Sequence, residues 1–121
     1  YISQKDIREI QLAKAVIAAG IRILMQELAV SPANVSKVFL TGGFGNYMNQ
    51  DNALRLGLIP KEFKDKIYTM GNGAGIGAKM ALLSQNSKAE TELIKTKSKY
   101  IELSARADFQ EHFVDSLTFE Q

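Results

Sequence analysis

The sequence predicts an α/β fold in which helices pack on a small, mostly parallel sheet. Two segments, Lys37–Leu40 and Lys66–Met70, are short and apolar or β-branched, and each runs into a glycine-rich loop. A short helix signal, Gln50 to Leu56, lies between them, and the second segment opens directly into the helical stretch "GNGAGIGAKMALLS". Strand, crossover helix, strand and helix in that order favour parallel pairing with a right-handed crossover.

The first element is a long helix. Ser3 offers a hydroxyl to an orphan amide, and Asp6 places a carboxylate in the first turn. In "QKDIREIQLAKAVIAAGIRILMQELAV", Ile10, Ala13, Ile17, Ile21, Leu24 and Leu28 recur at steps of three and four, which predicts the core stripe. Arg8, Gln11, Ala15, Ala18, Arg22 and Gln26 form the opposite, more polar stripe. Leu12, Val16 and Ile23 widen the apolar face. Such a helix is either well buried in a core or wedged between two layers, one of them absent from this chain.

"SPANVSK" reads as a connector in which Ser31-Pro32 starts a turn or a single helical turn. Lys37–Leu40 is expected to be a buried strand ending at Thr41-Gly42-Gly43. Asn49 caps the short helix and Gly57 closes it in the left-handed region. "IPKEFKDK" is a turn before the second strand. "SKAETELIKTKSK" is a solvated helix, "YIELS" a possible third strand, and "DFQEHFVDSLTF" a terminal amphipathic helix carrying Phe109, Phe113 and Leu117.

A chain of 121 residues is a single domain. Its net charge of +2 points to neither nucleic acid nor an anionic membrane surface as partner. The absence of cysteine rules out disulfides, thiolate metal ligands and a cysteine nucleophile within this chain, and is compatible with a cytoplasmic setting. No apolar run approaches the roughly 18 residues of a membrane helix. Tyr1 in place of Met, with a helix beginning almost at once, suggests an excised piece of a longer protein.

The stretch "VFLTGGFGNY" places two adjacent glycines at a strand end, where ligands of open α/β sheets usually sit. Gly42 and Gly43 let a ring or a phosphate approach the backbone and allow positive φ. Thr41 adds a hydroxyl, Phe44 an apolar wall and Asn46 an amide. The competing reading is a tight turn, with Phe44 and Tyr47 in the core. In the second cluster Ala74, Ala78 and Ala81 sit at helical spacing, so that helix can cross another at short range. Gly73, Gly75 and Ala78 also fit the dinucleotide fingerprint. That reading requires an acidic residue about 20 positions on at a strand end; Glu90 and Glu92 lie in a polar helix, and Glu102 comes late.

Together, "VFLTGGFG" and "GNGAGIGAKMALL" resemble the adenosine and connecting motifs of the nucleotide-binding core shared by actin, sugar kinases, acetate kinases and heat-shock chaperones. A narrower resemblance covers nearly the whole chain. "QKDIREIQLAKAVIAAGI", "VFLTGGFGNYMNQDNALRLGLIP", "GNGAGIGAKMALLS" and "YIELSARADFQEHFVDSL" are similar to the C-terminal part of the reductive activators of corrinoid proteins. Those are iron–sulfur proteins that use ATP to return a cobalt(II) corrinoid to cobalt(I).

The resemblance implies part of a ribonuclease-H-like, actin-like ATPase lobe, ATP with magnesium in the parent, and a corrinoid protein as partner. It places Gly42, Gly43 and Phe44 in the adenosine pocket with Thr41 and Asn46 near them. Gln4, Lys5 and Arg8 become candidates for base or ribose contact, and Asn72 for a hinge or phosphate-side role. The superfamily's two Asp-Gly phosphate motifs are missing, and no cysteine can hold an iron–sulfur cluster, which therefore belongs to the parent. On this reading the chain is half of a nucleotide cleft and inactive alone.

A docking or dimerisation module, whose glycines serve only turns and packing, is the alternative from another class, and a homodimer is expected from the uncovered apolar surface. A dinucleotide-binding oxidoreductase domain is the third. His112, the only histidine, has no second His or Cys beside it for metal chemistry. Asp6 and Glu9, the set Asp108, Glu111 and Asp115, and Lys88, Lys95, Lys97 and Lys99 read as solvated helix faces. Tyr47, Tyr68 and Tyr100 read as core or edge aromatics.

Overall fold

A computed structural model describes residues 1–119 of the chain. The fold is α/β with a two-stranded sheet. In chain order the elements are α1 (Gln4–Glu27), β1 (Val38–Leu40), α2 (Gly42–Tyr47), α3 (Gln50–Arg55), β2 (Ile67–Thr69), α4 (Gly73–Leu83), α5 (Gln85–Lys97) and α6 (Ala107–Asp115). Single 3-10 turns at Pro32–Asn34 and Lys61–Phe63 precede the two strands. Hydrogen bonds climb both strands together: the Val38 amide donates to the Lys66 carbonyl and the Met70 amide to the Leu40 carbonyl, each at 2.9 Å. The pair is therefore parallel.

The residues form two compact units. The first comprises Tyr1–Val38, Met48–Ile67 and the segment from Glu102 onward, and the second Phe39–Tyr47 and Tyr68–Ile101.

In the first unit, α1 starts on a capping box. Ser3 Oγ accepts the Asp6 amide at 3.3 Å, and Asp6 Oδ2 accepts the Ser3 amide at 2.8 Å, so two orphan donors are satisfied. The Ser3 hydroxyl, which also donates to Asp6 Oδ2 at 2.6 Å, and then the Ser3 amide hold the Asp6 carboxyl below the usual carboxylate range. The buried face of α1 differs from the expected stripe. Ala15, Ala18, Ala19, Gly20 and Ile23 are buried, whereas Ala13, Ile10, Leu24 and Leu28 are exposed, Leu28 by 73%. Close approach explains the exchange. Small side chains let α6 and the segment before it come near the helix axis, and the Leu103 methyl lies 3.6 Å from where a Cβ on Gly20 would stand. The larger apolar residues then face outward, as the wedge reading of this helix requires of one flank.

Phe109 of α6 is buried and stacks near Phe113 at 6.4 Å between ring centroids. Leu117 lies beyond the last helical residue, Asp115, so the terminal helix is shorter than expected. Arg106 ties the start of α6 to α1, donating to Glu27 Oε1 at 2.6 Å and gripping Asp108 with two donors at 2.7 and 2.9 Å. Lys14 is buried on α1, donates from Nζ to the Thr118 carbonyl at 2.6 Å and lies 5.1 Å from the centre of the Phe119 ring. Ala53, Ile59 and Phe63 complete the core. Asn49 caps α3 by accepting the Asn52 amide at 2.9 Å, and Gly57 follows at φ +74°, both as expected.

Two further expectations fail. "YIELS" is not a strand: residues 98–103 carry no regular structure. Leu103 is held by its side chain against Gly20 rather than by a ladder of backbone bonds. Nor is the first strand buried, because Phe39 is more than half exposed beside Tyr68, with ring centroids 5.9 Å apart.

Gly20 is mid-helix at an ordinary φ, and a methyl there meets only a van der Waals contact. Gly20→Ala should raise stability by about 0.5–1 kcal/mol in urea unfolding, since it removes backbone freedom from the unfolded chain. Asp108 supplies a pH test. The Arg106 guanidinium holds its carboxyl at about 2, against 3.8 for an unperturbed Asp. A depressed carboxyl contributes stability above its unfolded value and loses that contribution as pH falls through the folded one. The contribution is therefore complete above about pH 4 and fades toward pH 2. In Arg106→Gln, a carbon-detected titration of Asp108 should move up toward 3.8.

Candidate functional site

The second unit gathers the two glycine-rich loops. The Gly42 amide donates to the Gly71 carbonyl at 2.7 Å, and the Gly73 amide donates to the same oxygen at 3.1 Å. Both loops lie at the carboxyl ends of parallel strands, the position at which α/β sheets place ligands. Gly42 has φ +82° and Gly71 φ +59°, conformations that a side chain strains. Gly43, the second residue of α2, needs no positive φ, a correction to the expectation for that position.

What a Cβ would meet separates these glycines by cause. At Gly73 it would stand 3.2 Å from the Thr41 Cβ and Cγ2, so that glycine serves close approach of the loops. At Gly75 it would meet the Asn72 amide, which folds back to cap α4 and accepts the Gly75 amide at 2.9 Å. At Gly42 and Gly43 it would meet nothing within 4 Å. The space above the first glycine pair is open.

Phe44 and Tyr47 are exposed by 71% and 88%, so neither is a core residue. Tyr100 is likewise exposed, and Tyr68 packs on Phe39. Asn46 brings its Oδ1 to within 3.9 Å of where a Gly71 Cβ would lie. Thr41, Gly42, Gly43, Phe44, Asn46 and Asn72 are thus assembled in one unit. Gln4, Lys5 and Arg8 are exposed in the first turns of α1 and belong to the other.

On α4, Ile76, Met80, Leu82 and Leu83 are exposed, and none of its residues is buried. The close helix crossing expected from Ala74 and Ala78 is therefore not made among the described residues. The same residues contain no group of three His, Cys, Asp or Glu placed to hold a metal ion. No helix among them is long and apolar enough to cross a membrane.

A concavity in the first unit is not announced by any periodicity. It has a volume of about 560 Å3 and is bordered by Arg22, Gln26 and His112 together with both prolines of the chain, Pro32 and Pro60. Two prolines opening turns before two strands are the only signal that the sequence offers for it.

Comparison with known proteins agrees with the fold. Residues 1–121 match the family described as the C-terminal domain of RACo, the ASKHA domain. The corrinoid activation enzyme RamQ of Eubacterium limosum is 35% identical over 118 residues, covering 98% of this chain and 20% of the enzyme. A solved structure titled reductive activator for corrinoid, iron-sulfur protein superposes with a TM-score of 0.84 at 35% identity, over 96% of this chain and 18% of that one. The chain thus spans about one fifth of the length of these relatives. It belongs to the family of RACo C-terminal ASKHA domains.

Proposed function

We propose that this chain supplies the adenosine side of an ATP cleft in a cytoplasmic reductive activator of corrinoid proteins. Both relatives are named for corrinoid activation. The observation that carries the reading is the open space above Gly42 and Gly43, at a loop held in place by the Gly42–Gly71 hydrogen bond. A planar base stacked on this loop needs the room that a Cβ would take, and Gly42 and Gly43 leave that room open next to the exposed Phe44.

In that cleft Gly42 and Gly43 admit the base, Phe44 walls it, and Thr41 and Asn46 offer polar groups toward the sugar. Asn72 has its Oδ1 engaged in capping α4, which leaves its Nδ2 as the donor for a phosphate-side role. ATP, when bound, supplies the free energy for a domain movement that reshapes the complex with the corrinoid protein and permits reduction of cobalt(II) to cobalt(I). With no cysteine in the sequence, the iron–sulfur cluster is assigned to the remainder of the parent, as is the magnesium site.

A docking and self-association role is the second reading, favoured by the exposed apolar residues of α4 and by Ile10, Leu24 and Leu28 of α1. ATP titration of the longer protein that carries this domain separates the two. Gly43→Val keeps an ordinary φ and fills the open space, so it should weaken ATP binding at least tenfold, about 1.4 kcal/mol, in a folded protein. Gly42→Ala, forced to a positive φ, should instead cost about 1–2 kcal/mol of stability. Unaltered ATP affinity in folded Gly43→Val sinks the adenosine reading and leaves docking; preference for NAD over ATP restores the dinucleotide reading.

A further inference from the structure

We propose that the cavity of the first unit is a second binding site, for a small organic monoanion with a ring or a branched apolar body. Every residue that lines it belongs to that unit, and none is a residue of the glycine loops. Its volume, about 560 Å3, is in the range that small-molecule sites occupy. Most of its wall is apolar, built from Ala18, Met25, Val30, Ile59 and the two prolines. The prolines fix φ, so this wall is set before a ligand arrives.

The polar groups are few and unequal in sign. Arg22, Lys61 and Glu62 are the charged residues other than His112 among those that line the cavity. Arg22 lies on the exposed side of α1 and carries a planar fork of donors that matches the two oxygens of a carboxylate, sulfonate or phosphate ester. Gln26 Nε2 lies 3.0 Å from His112 Nε2. An amide nitrogen only donates, so in this orientation the His112 nitrogen is the acceptor. That bond fixes both side chains at the cavity and leaves the second Gln26 N–H for a ligand.

The wall decides the ligand class. A bare inorganic anion leaves the apolar surface wet, whereas a neutral apolar molecule desolvates the guanidinium without replacing its water. A cation meets the guanidinium of Arg22. An anion with an apolar body satisfies both parts at once.

His112 is the only histidine in the chain and lines the cavity, so its ring resonance reports occupancy at this site alone. Dye that adheres to the exposed faces of α1 or α4 does not register there. The probe is 8-anilinonaphthalene-1-sulfonate, an aromatic body with one anionic head. Titration should displace the His112 signal saturably. Arg22→Gln should weaken that response at least tenfold, Met25→Trp should abolish it by filling the wall, and Lys97→Glu should leave it unchanged. Neutral N-phenyl-1-naphthylamine should bind at least tenfold more weakly, and inorganic phosphate at equal concentration should not compete. The proposal is overturned if His112 stays unmoved while the dye saturates elsewhere. Equal affinity for the neutral dye, full competition by phosphate, or an undiminished response in folded Arg22→Gln and Met25→Trp overturns it too.

Discussion

The Gly42–Gly71 hydrogen bond is the constraint on which the second unit depends. Parallel strands that end side by side send their loops into the same space, and one carbonyl, that of Gly71, receives the amides of both Gly42 and Gly73. To reach that oxygen Gly42 must turn to φ +82° and Gly71 to φ +59°. The loops then pass so closely that Gly73 has Thr41 at 3.2 Å from its missing Cβ. Helices α2 and α4 both start from this knot. Their directions are consequences of it.

Sorting the glycines by cause changes what each can signify. Gly71 and Gly73 are accounted for by the knot, and Gly75 by the Asn72 cap. These include two of the three positions that match a dinucleotide fingerprint, so the match has a packing explanation. The acid that fingerprint demands also lacks a setting: Glu90 and Glu92 are exposed on α5, and Glu102 lies in a segment without strand structure. Gly43 is different. Neither dihedral nor neighbour requires a glycine there, and that remainder is what supports a ligand at the first loop.

The order of elements was legible because it rests on local chemistry. Ser3 with Asp6, Asn49 with Gly57, and Pro32 each act within a few residues, and the structure keeps all of them. The face that α1 buries was not legible. Periodicity ranks residues by hydrophobicity, and it favoured Ile10, Leu24 and Leu28 over Ala15 and Ala18. Close packing instead selects small residues where another segment must approach, a choice that depends on Leu103 more than 80 positions away. The same limit explains "YIELS", whose β-branched and aromatic composition fits a strand but whose Leu103 is held by side-chain packing. The glycine-rich loops were legible as strand-end turns but not as a knot, since only the fold brings Gly42 to Gly71. The cavity beside His112 was invisible for the same reason.

The exposed apolar faces set a quantitative condition on any docking role. Burying a Leu, Ile or Met side chain fully is worth about 1.5–3 kcal/mol, so Ile76, Met80, Leu82 and Leu83 of α4 together offer at most roughly 6–12 kcal/mol. Lost translational and rotational freedom on association costs about 4–15 kcal/mol. The α4 face alone is therefore marginal as an interface. Docking through that face is thus finely balanced and depends on how completely Ile76, Met80, Leu82 and Leu83 are covered, whereas an adenosine pocket at Gly42 and Gly43 makes no such demand. The two readings therefore use different surfaces, docking the outward face of α4 and nucleotide binding the open side of the first glycine loop.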